Sequence, residues 1–315
     1  IIADRDLSKL DGIYDATVVF HHFWVEERLR IASIDPATCK TVFTRATVFT
    51  AYTDNHRDAS ESTGRNGDTA QHQVSDANSR MDYIIEGLPQ MLKKPNQWVY
   101  LRDNNKIYYI PERFGEEQER YVPMVTQLFE IYADNIRFEN IDFRYTSSHF
   151  ESNMGTRSRF VDKSKKMAND VQAFFSADGV IQFCGARNGS LKRCAIREYG
   201  LYGVNIDHNC SDIEITECVF ENSGGGGVKI FHDLSGQEQT VARNITVTDC
   251  LIKNIGLIHT SAVGVLITLA ENCRICHNEI CYTGYSGISV GWEWGYKAQR
   301  TKNILIEKNH IHHIS

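Results

Sequence analysis

Thr216-Glu217-Cys218-Val219-Phe220, followed closely by Gly227-Val228-Lys229-Ile230, is the stretch whose reading decides the fold, because both halves recur in fixed order. The first half returns as Lys192-Arg193-Cys194-Ala195-Ile196, Thr248-Asp249-Cys250-Leu251-Ile252, Cys276-His277-Asn278-Glu279-Ile280 and Glu307-Lys308-Asn309-His310-Ile311. Aligned on Cys or Asn at 194, 218, 250, 278 and 309, the copies are 24, 32, 28 and 31 residues apart. Units of this length cannot bury an apolar face alone, so they must stack. The second half returns as Gly203-Val204-Asn205-Ile206, Gly264-Val265-Leu266-Ile267 and Gly287-Ile288-Ser289-Val290. Each unit therefore carries at least two short strands with alternate side chains inside. The glycine before each second strand marks a bend where a Cβ would crowd or φ must be unusual.

The units are rich in Val, Ile, Thr, Asn and Gly and lack a 3.6-residue apolar period, which excludes a helical solenoid. A parallel β-helix accounts for both series. Repeated side chains should then stack from turn to turn, with Cys194, Cys218 and Cys250 as a buried column of small groups and Asn278 and Asn309 as a ladder that satisfies turn backbone. Ile136–Phe143 resembles a further copy with Ile141 in the Cys194 position. The 53-residue step to Cys194 reads as two turns, with Val180–Phe183 in the skipped one.

Before about residue 125 the pattern differs. Thr17–His21 and Thr41–Thr44 are β-like, residues 54–79 are a polar insertion, and Met81–Leu92 has the apolar stripe of a short helix. Trp98–Leu101 and Ile107–Ile110 flank Asp103-Asn104-Asn105 as a hairpin. The expected organisation is an N-terminal β-rich segment, 1–124, and a β-helix, 125–315. The β-helix stops within a repeat at His312-His313-Ile314-Ser315, as a piece of a longer protein would.

The chain of 315 residues is 42% hydrophobic and 23% charged, with net charge -6. There is no basic block for nucleic acid and no apolar run long enough to span a bilayer. Ile1-Ile2-Ala3-Asp4-Arg5 does not read as a signal peptide.

Gly284-Tyr285-Ser286-Gly287-Ile288-Ser289-Val290-Gly291-Trp292-Glu293-Trp294-Gly295, Gln97–Leu101 with Lys106–Pro111, and Asn309–Ile314 resemble stretches of β-helix glycoside hydrolases, nearest to glycoside hydrolase family 141, which includes fucosidase and xylanase activities. The resemblance covers most of 80–315. It implies an all-β, right-handed parallel β-helix, a pectate-lyase-like solenoid with an N-terminal β-rich segment. It also implies hydrolysis of a plant or algal polysaccharide or oligosaccharide. Proteins of this kind continue into a Ser-Asp-Gly-Gly-Gly-Ile-Tyr-like stretch whose aspartate is a candidate acid, so one catalytic carboxylate is expected beyond Ser315. Secreted, periplasmic or cell-surface location follows, with the signal peptide outside this segment.

Glycoside hydrolysis needs two carboxyl groups beside the bond. Glu293 lies between Trp292 and Trp294, whose rings could stack on sugar while apolar surroundings raise the Glu pKa, as a general acid requires. Glu279 sits between Asn278 and Ile280 and should point outward. Asp207-His208 and His232-Asp233 follow equivalent strands, so Asp207 and Asp233 should line one groove with Glu293. The catalytic candidates are thus Glu293, Glu279, Asp207 and Asp233. Tyr285, Trp292, Trp294, Lys229, Asn205, His277 and His232 are the substrate-binding candidates. Lys229 and Asn205 share an outward strand position, where Lys229 could hold a hydroxyl or a uronate.

No metal or cofactor is expected. Cys273, Cys276, His277 and Cys281 lack a second Cys-x-x-Cys to complete a zinc set. Of His310, His312 and His313, only the first two should share a face. The alternatives are a polysaccharide lyase, which would use Lys229 and calcium, and a non-catalytic carbohydrate-binding β-helix.

Overall fold

The computed structural model describes residues 6–21, 26–45, 83–149, 172–230, 241–293, 295–296 and 298–314. The chain divides into two compact units, one running to Glu117 and one beginning at Gln118. No described helix is long and apolar enough to cross a membrane.

The first unit holds β1 (Thr17–His21), β2 (Glu26–Asp35), β3 (Lys40–Phe43) and β4 (Tyr83–Glu86) in one sheet of order β3-β2-β1-β4. β1 is antiparallel to both β2 and β4. Val18, Phe20, Leu29 and Ile31 close its core with Leu7, Ile13 and Leu88. The helix expected over Met81–Leu92 is not formed. Tyr83–Glu86 pairs with β1, and Pro89–Met91 makes only a 3₁₀ turn. Gly87, at φ +80, breaks the stripe between them. The hairpin forms as read, from β5 (Trp98–Leu101) and β6 (Lys106–Tyr109).

Among the described residues the second unit is a parallel β-helix of six coils with three strands each. The first sheet stacks β7 (Phe129–Ile131), β10 (Gly179–Phe183), β13 (Tyr202–Ile206), β16 (Val228–Ile230), β19 (Val265–Ile267) and β22 (Ile288–Val290). The second stacks β8 (Arg137–Glu139), β11 (Arg187–Lys192), β14 (Ser211–Thr216), β17 (Ala242–Thr248), β20 (Ala270–Cys276) and β23 (Lys302–Glu307). The third stacks β9 (Asp142–Arg144), β12 (Ala195–Tyr199), β15 (Val219–Ser223), β18 (Leu251–Ile255), β21 (Glu279–Thr283) and β24 (His310–Ile314). Inward residues form columns such as Ile181-Val204-Val228-Val265-Ile288 and Phe143-Ile196-Phe220-Ile252-Ile280. A fully buried aliphatic in such a column is worth about 1.5–3 kcal/mol.

Ile141 does occupy the Cys194 position, since Asp142 pairs with Ala195 and Ala195 N–H donates to the Ile141 carbonyl. These residues nevertheless lie in adjacent coils. Val180–Phe183 belongs to β10, in the same coil as Cys194, so the 53-residue step is one coil plus the long excursion between β9 and β10.

The Cys/Asn column sits at the corner between the second and third sheets. Cys218 N–H points to Cys250 Sγ (3.4 Å), and Cys250 N–H donates to Asn278 Oδ1 (3.0 Å). Asn278 N–H donates to Asn309 Oδ1 (3.0 Å). The two Nδ2 groups cap the Val247 and Ile275 carbonyls at 3.0 and 2.9 Å. All nine cysteines are free thiols, and Cys250 is held well above the usual thiol range by its Cys218 neighbour and by burial.

Three further columns run in the left-handed region, one for each strand-to-strand corner or bulge. Asn135, Asn188, Asp212, Asn244, Asn272 and Asn303 all have φ between 54 and 64°. Asn140, Arg193, Glu217, Asp249, His277 and Lys308 form the second column, and Tyr145, Glu198, Asn222, Asn254, Tyr282 and His313 the third. Asn and Asp tolerate this conformation because a short polar side chain bonds locally. Here it bonds between coils: Asn303 Nδ2 reaches Asn272 Oδ1 at 2.9 Å, and Asn244 Nδ2 reaches Asp212 Oδ1 at 2.9 Å. The glycines before the first-sheet strands are not left-handed. Their role is crowding: a Cβ on Gly203 would meet Phe220 at 2.5 Å, and one on Gly287 would meet Ile311 at 2.7 Å.

Candidate active site

The outward column of the first sheet reads Glu130, Gln182, Asn205, Lys229, Leu266, Ser289. Asn205 and Lys229 share it, as their strand position suggests. Neither faces solvent, because residues 172–178 lie over the sheet. Lys229 is 0% exposed; its Nζ donates to the carbonyls of Phe175 (2.9 Å) and Ala177 and stands 5.2 Å from the Tyr202 ring centre. The Tyr202 hydroxyl donates to the Ala173 carbonyl (2.6 Å), pinning the same segment. Gln172 Nε2 donates to the Tyr285 hydroxyl at 2.8 Å, and Phe175 stacks on Trp292 with centroids 5.8 Å apart. Asn205 is fully buried, and neither of its amide atoms has a hydrogen-bond partner among the described residues. The segment thus gathers Asn205, Lys229, Tyr285 and Trp292, but it covers the two polar groups.

Solvent is reached at the end of this sheet, where the chain leaves it for the second. Backbone bonds from Cys184 to Ile131, Asp207 to Phe183, Thr268 to Ile230 and Gly291 to Ile267 put these residues on one edge. Asp207 and Glu293 therefore lie along the same edge, in the third and sixth coils. Three strand spacings separate those coils, roughly 14 Å, too far for a carboxylate pair. Glu293 is also paired: Oε2 accepts Arg300 N–H (2.5 Å) and Oε1 accepts Arg300 Nε–H (2.6 Å). Glu293 is thus a carboxylate held by an arginine and not an isolated acid. Trp292 has φ 115°, where a bulky side chain is rare. It is held there by Phe175 and by its Nε1–H bond to Ser289 Oγ (3.3 Å).

The edge gathers a different acidic group in the first three coils. Asp207 Oδ1 accepts the His208 N–H (2.7 Å) and lies 3.1 Å from His208 Nδ1. In the preceding coil, burial pushes the Cys184 thiol up, and the Asp207 and Glu130 carboxylates push the same way. Cys184 and then Glu130 hold the Tyr132 hydroxyl above the usual phenol range. Glu130 and Asp207 thus approach Cys184 from the first and third coils, two strand spacings across the sheet and two residues apart along it, roughly 12 Å between backbones. Sequence reasoning missed Glu130 and Tyr132, because coil one was aligned through Ile141 without extending the register back to Phe129–Ile131.

Glu279 and His277 do not join this edge. Glu279 begins β21 on the outward face of the third sheet, and His277 sits at the corner before it, 3.7 Å from Asp249. Cys273, Cys276, His277 and Cys281 are dispersed too. Cys273 lies in the apolar core, Cys276 contacts Thr248 Oγ1 (3.3 Å), and Cys281 belongs to the third sheet. Trp294, His232 and Asp233 lie outside the described residues.

A family model described as "Right handed beta helix region" matches residues 179–315. A solved structure titled "Glycoside hydrolase" matches 98% of this chain at 18% identity with a TM-score of 0.66, and this chain spans 57% of that one. No curated protein matches the chain. At that identity the structural likeness speaks to the fold: the chain is all-β, a right-handed parallel β-helix preceded by a β-rich segment.

Proposed function

We propose that the protein is a carbohydrate-active enzyme that hydrolyses a glycosidic bond in a plant or algal polysaccharide. The observation that carries this reading is the placement of two carboxylates beside Cys184, Glu130 on the outward column of the first sheet and Asp207 on its edge. Their backbones stand roughly 12 Å apart, so only side chains leaning toward each other reach the 6.5–9.5 Å that admits a water between two carboxyl groups, and the wider geometry favours inversion over retention. One carboxyl group protonates the leaving oxygen while the other activates that water. Trp292, farther along the edge, would offer a flat apolar face to a distal sugar. The glycoside hydrolase that shares the fold supports the substrate class.

A lyase would need Lys229 as a base or uronate clamp, and its ammonium is spent on two carbonyls beneath residues 172–178. A polysaccharide is met outside the cytoplasm, so we place the protein as secreted, periplasmic or at the cell surface. Recovery of the native protein only in the cytoplasmic fraction would contradict that placement. Incubating the full-length protein with plant and algal glycans and following products by NMR tests the reaction class. New reducing ends with inverted anomeric configuration are expected. Unsaturated uronate ends would establish the lyase, and unchanged glycan across the panel would leave only carbohydrate binding.

A further inference from the structure

Along the outward face of the third sheet, coils one to four carry a ladder of opposite charges. Asp142 pairs with Arg197 (2.8 Å), Arg197 with Glu221 (3.6 Å) and Glu221 with Lys253 (3.9 Å). In coils five and six the residue types change. The two columns that hold this ladder continue as Glu279 over His310 and Cys281 over His312, because β21 and β24 pair in that register. His310 and His312 are two apart on one strand and project on the same side. Their ring centres are 4.3 Å apart, and His312 Nε2 lies 3.3 Å from Glu279 Oε1.

We infer that Glu279, His310 and His312 form a binding site for a divalent transition-metal ion of the Zn²⁺ class. Their donor atoms all lie within 4.8 Å of one another. A tetrahedral ion with bonds of about 2.0–2.1 Å needs ligand atoms about 3.4 Å apart. The His312–Glu279 pair already meets that spacing at 3.3 Å, and the solvent-exposed His310 ring lies within 4.8 Å of both and can swing in. Two imidazoles and one carboxylate suit Zn²⁺, Co²⁺ or Ni²⁺ rather than the all-oxygen shell of Ca²⁺ or Mg²⁺.

The surroundings favour the same reading. His312 Nδ1 lies 2.6 Å from His313 Nδ1, so the ring's second nitrogen is engaged while Nε2 faces Glu279. His313 is in turn stacked on Tyr282 at 4.6 Å. A ligand imidazole is ordinarily oriented through its other nitrogen in this way. Cys281, 1% exposed, forms the floor, with Sγ 4.0 Å from Glu279 Oε1. Three protein ligands leave coordination positions open toward solvent, and the ion would clip the fifth coil to the sixth. This inference does not depend on the hydrolase reading, because the site lies on a different sheet.

The test is titration of the tag-free, chelator-treated full chain with Zn²⁺ in competition with a chromogenic chelator, and with Co²⁺ by visible absorption. One equivalent of saturable binding is expected, with cobalt bands of a low-coordinate N/O site and a rise in Tm on loading. His310→Ala, His312→Ala and Glu279→Gln should each weaken binding about tenfold or more, while His21→Ala leaves it unchanged. Circular dichroism of the apo variants checks the fold, which these surface positions should spare. Absence of saturable binding, or wild-type affinity in a folded triple variant, overturns the assignment.

Discussion

Gly264→Ala is expected to cost about 4 kcal/mol or more and to lower Tm by roughly 8–16 °C, read by thermal and urea unfolding. The added Cβ would collide with the Gly287 carbonyl and approach Ile280 Cγ2 to 2.8 Å. That carbonyl accepts the Val265 N–H at 2.9 Å, one of the bonds tying the fifth coil to the sixth. Core side chains can rotate away from a clash, but a carbonyl fixed in an inter-coil bond cannot, so the coils must separate. Gly115→Ala is the comparison. Gly115 has φ +85° but open space around its Cβ, so only backbone strain of roughly 1–2 kcal/mol is expected. Equal losses at the two sites would show that the coils absorb the added Cβ and that crowding does not keep Gly264.

Asn278→Ala is expected to destabilise by about 2–5 kcal/mol. It leaves Cys250 N–H and the Val247 carbonyl unpaired inside the corner, each worth about 1–3 kcal/mol. Asn278→Cys should cost about 1–2 kcal/mol, because the column already accepts Cys218 N–H on the sulfur of Cys250 (3.4 Å). The order alanine worst, cysteine intermediate, asparagine best is the outcome to check by urea unfolding. A cysteine variant as unstable as the alanine one would mean that the sulfurs only fill space.

The same column explains what the sequence reveals. Cys194, Cys218, Cys250, Asn278 and Asn309 are legible because stacked corners impose a small or amide side chain on each coil from the second to the sixth. The second-sheet strands left a comparable trace in Asn188-Gly189, Asp212-Ile213, Asn244-Ile245, Asn272-Cys273 and Asn303-Ile304. Gly, Ile and Cys follow the Asn or Asp of that third series, so the sequence sets only a minimum of two strands per coil. The other left-handed columns mix Arg, Glu, Lys, His and Tyr, and a backbone demand met by so many residue types leaves no readable pattern.

The site was harder to read for a related reason. Strand periodicity says that Lys229 points outward, but not that residues 172–178 will cover it. It puts Asp207 and Glu293 on one edge without showing that Arg300 holds Glu293. Glu130 sits before a long excursion that hides its register with Gln182, and the excursion made one coil look like two. Glu279 was legible as an outward carboxylate, while its neighbours His310 and His312 come from the next coil, where only the paired register of β21 and β24 reveals them.

The central claim is that the first-sheet edge at Asp207 performs hydrolysis, and the most direct test is kcat/KM of Asp207→Asn in the full-length protein on whichever glycan the wild type cleaves. A loss of about 100-fold or more with unchanged Tm is predicted, in keeping with removal of a positioned acid or base. A folded Asp207→Asn variant that cleaves at near the wild-type rate would contradict the account.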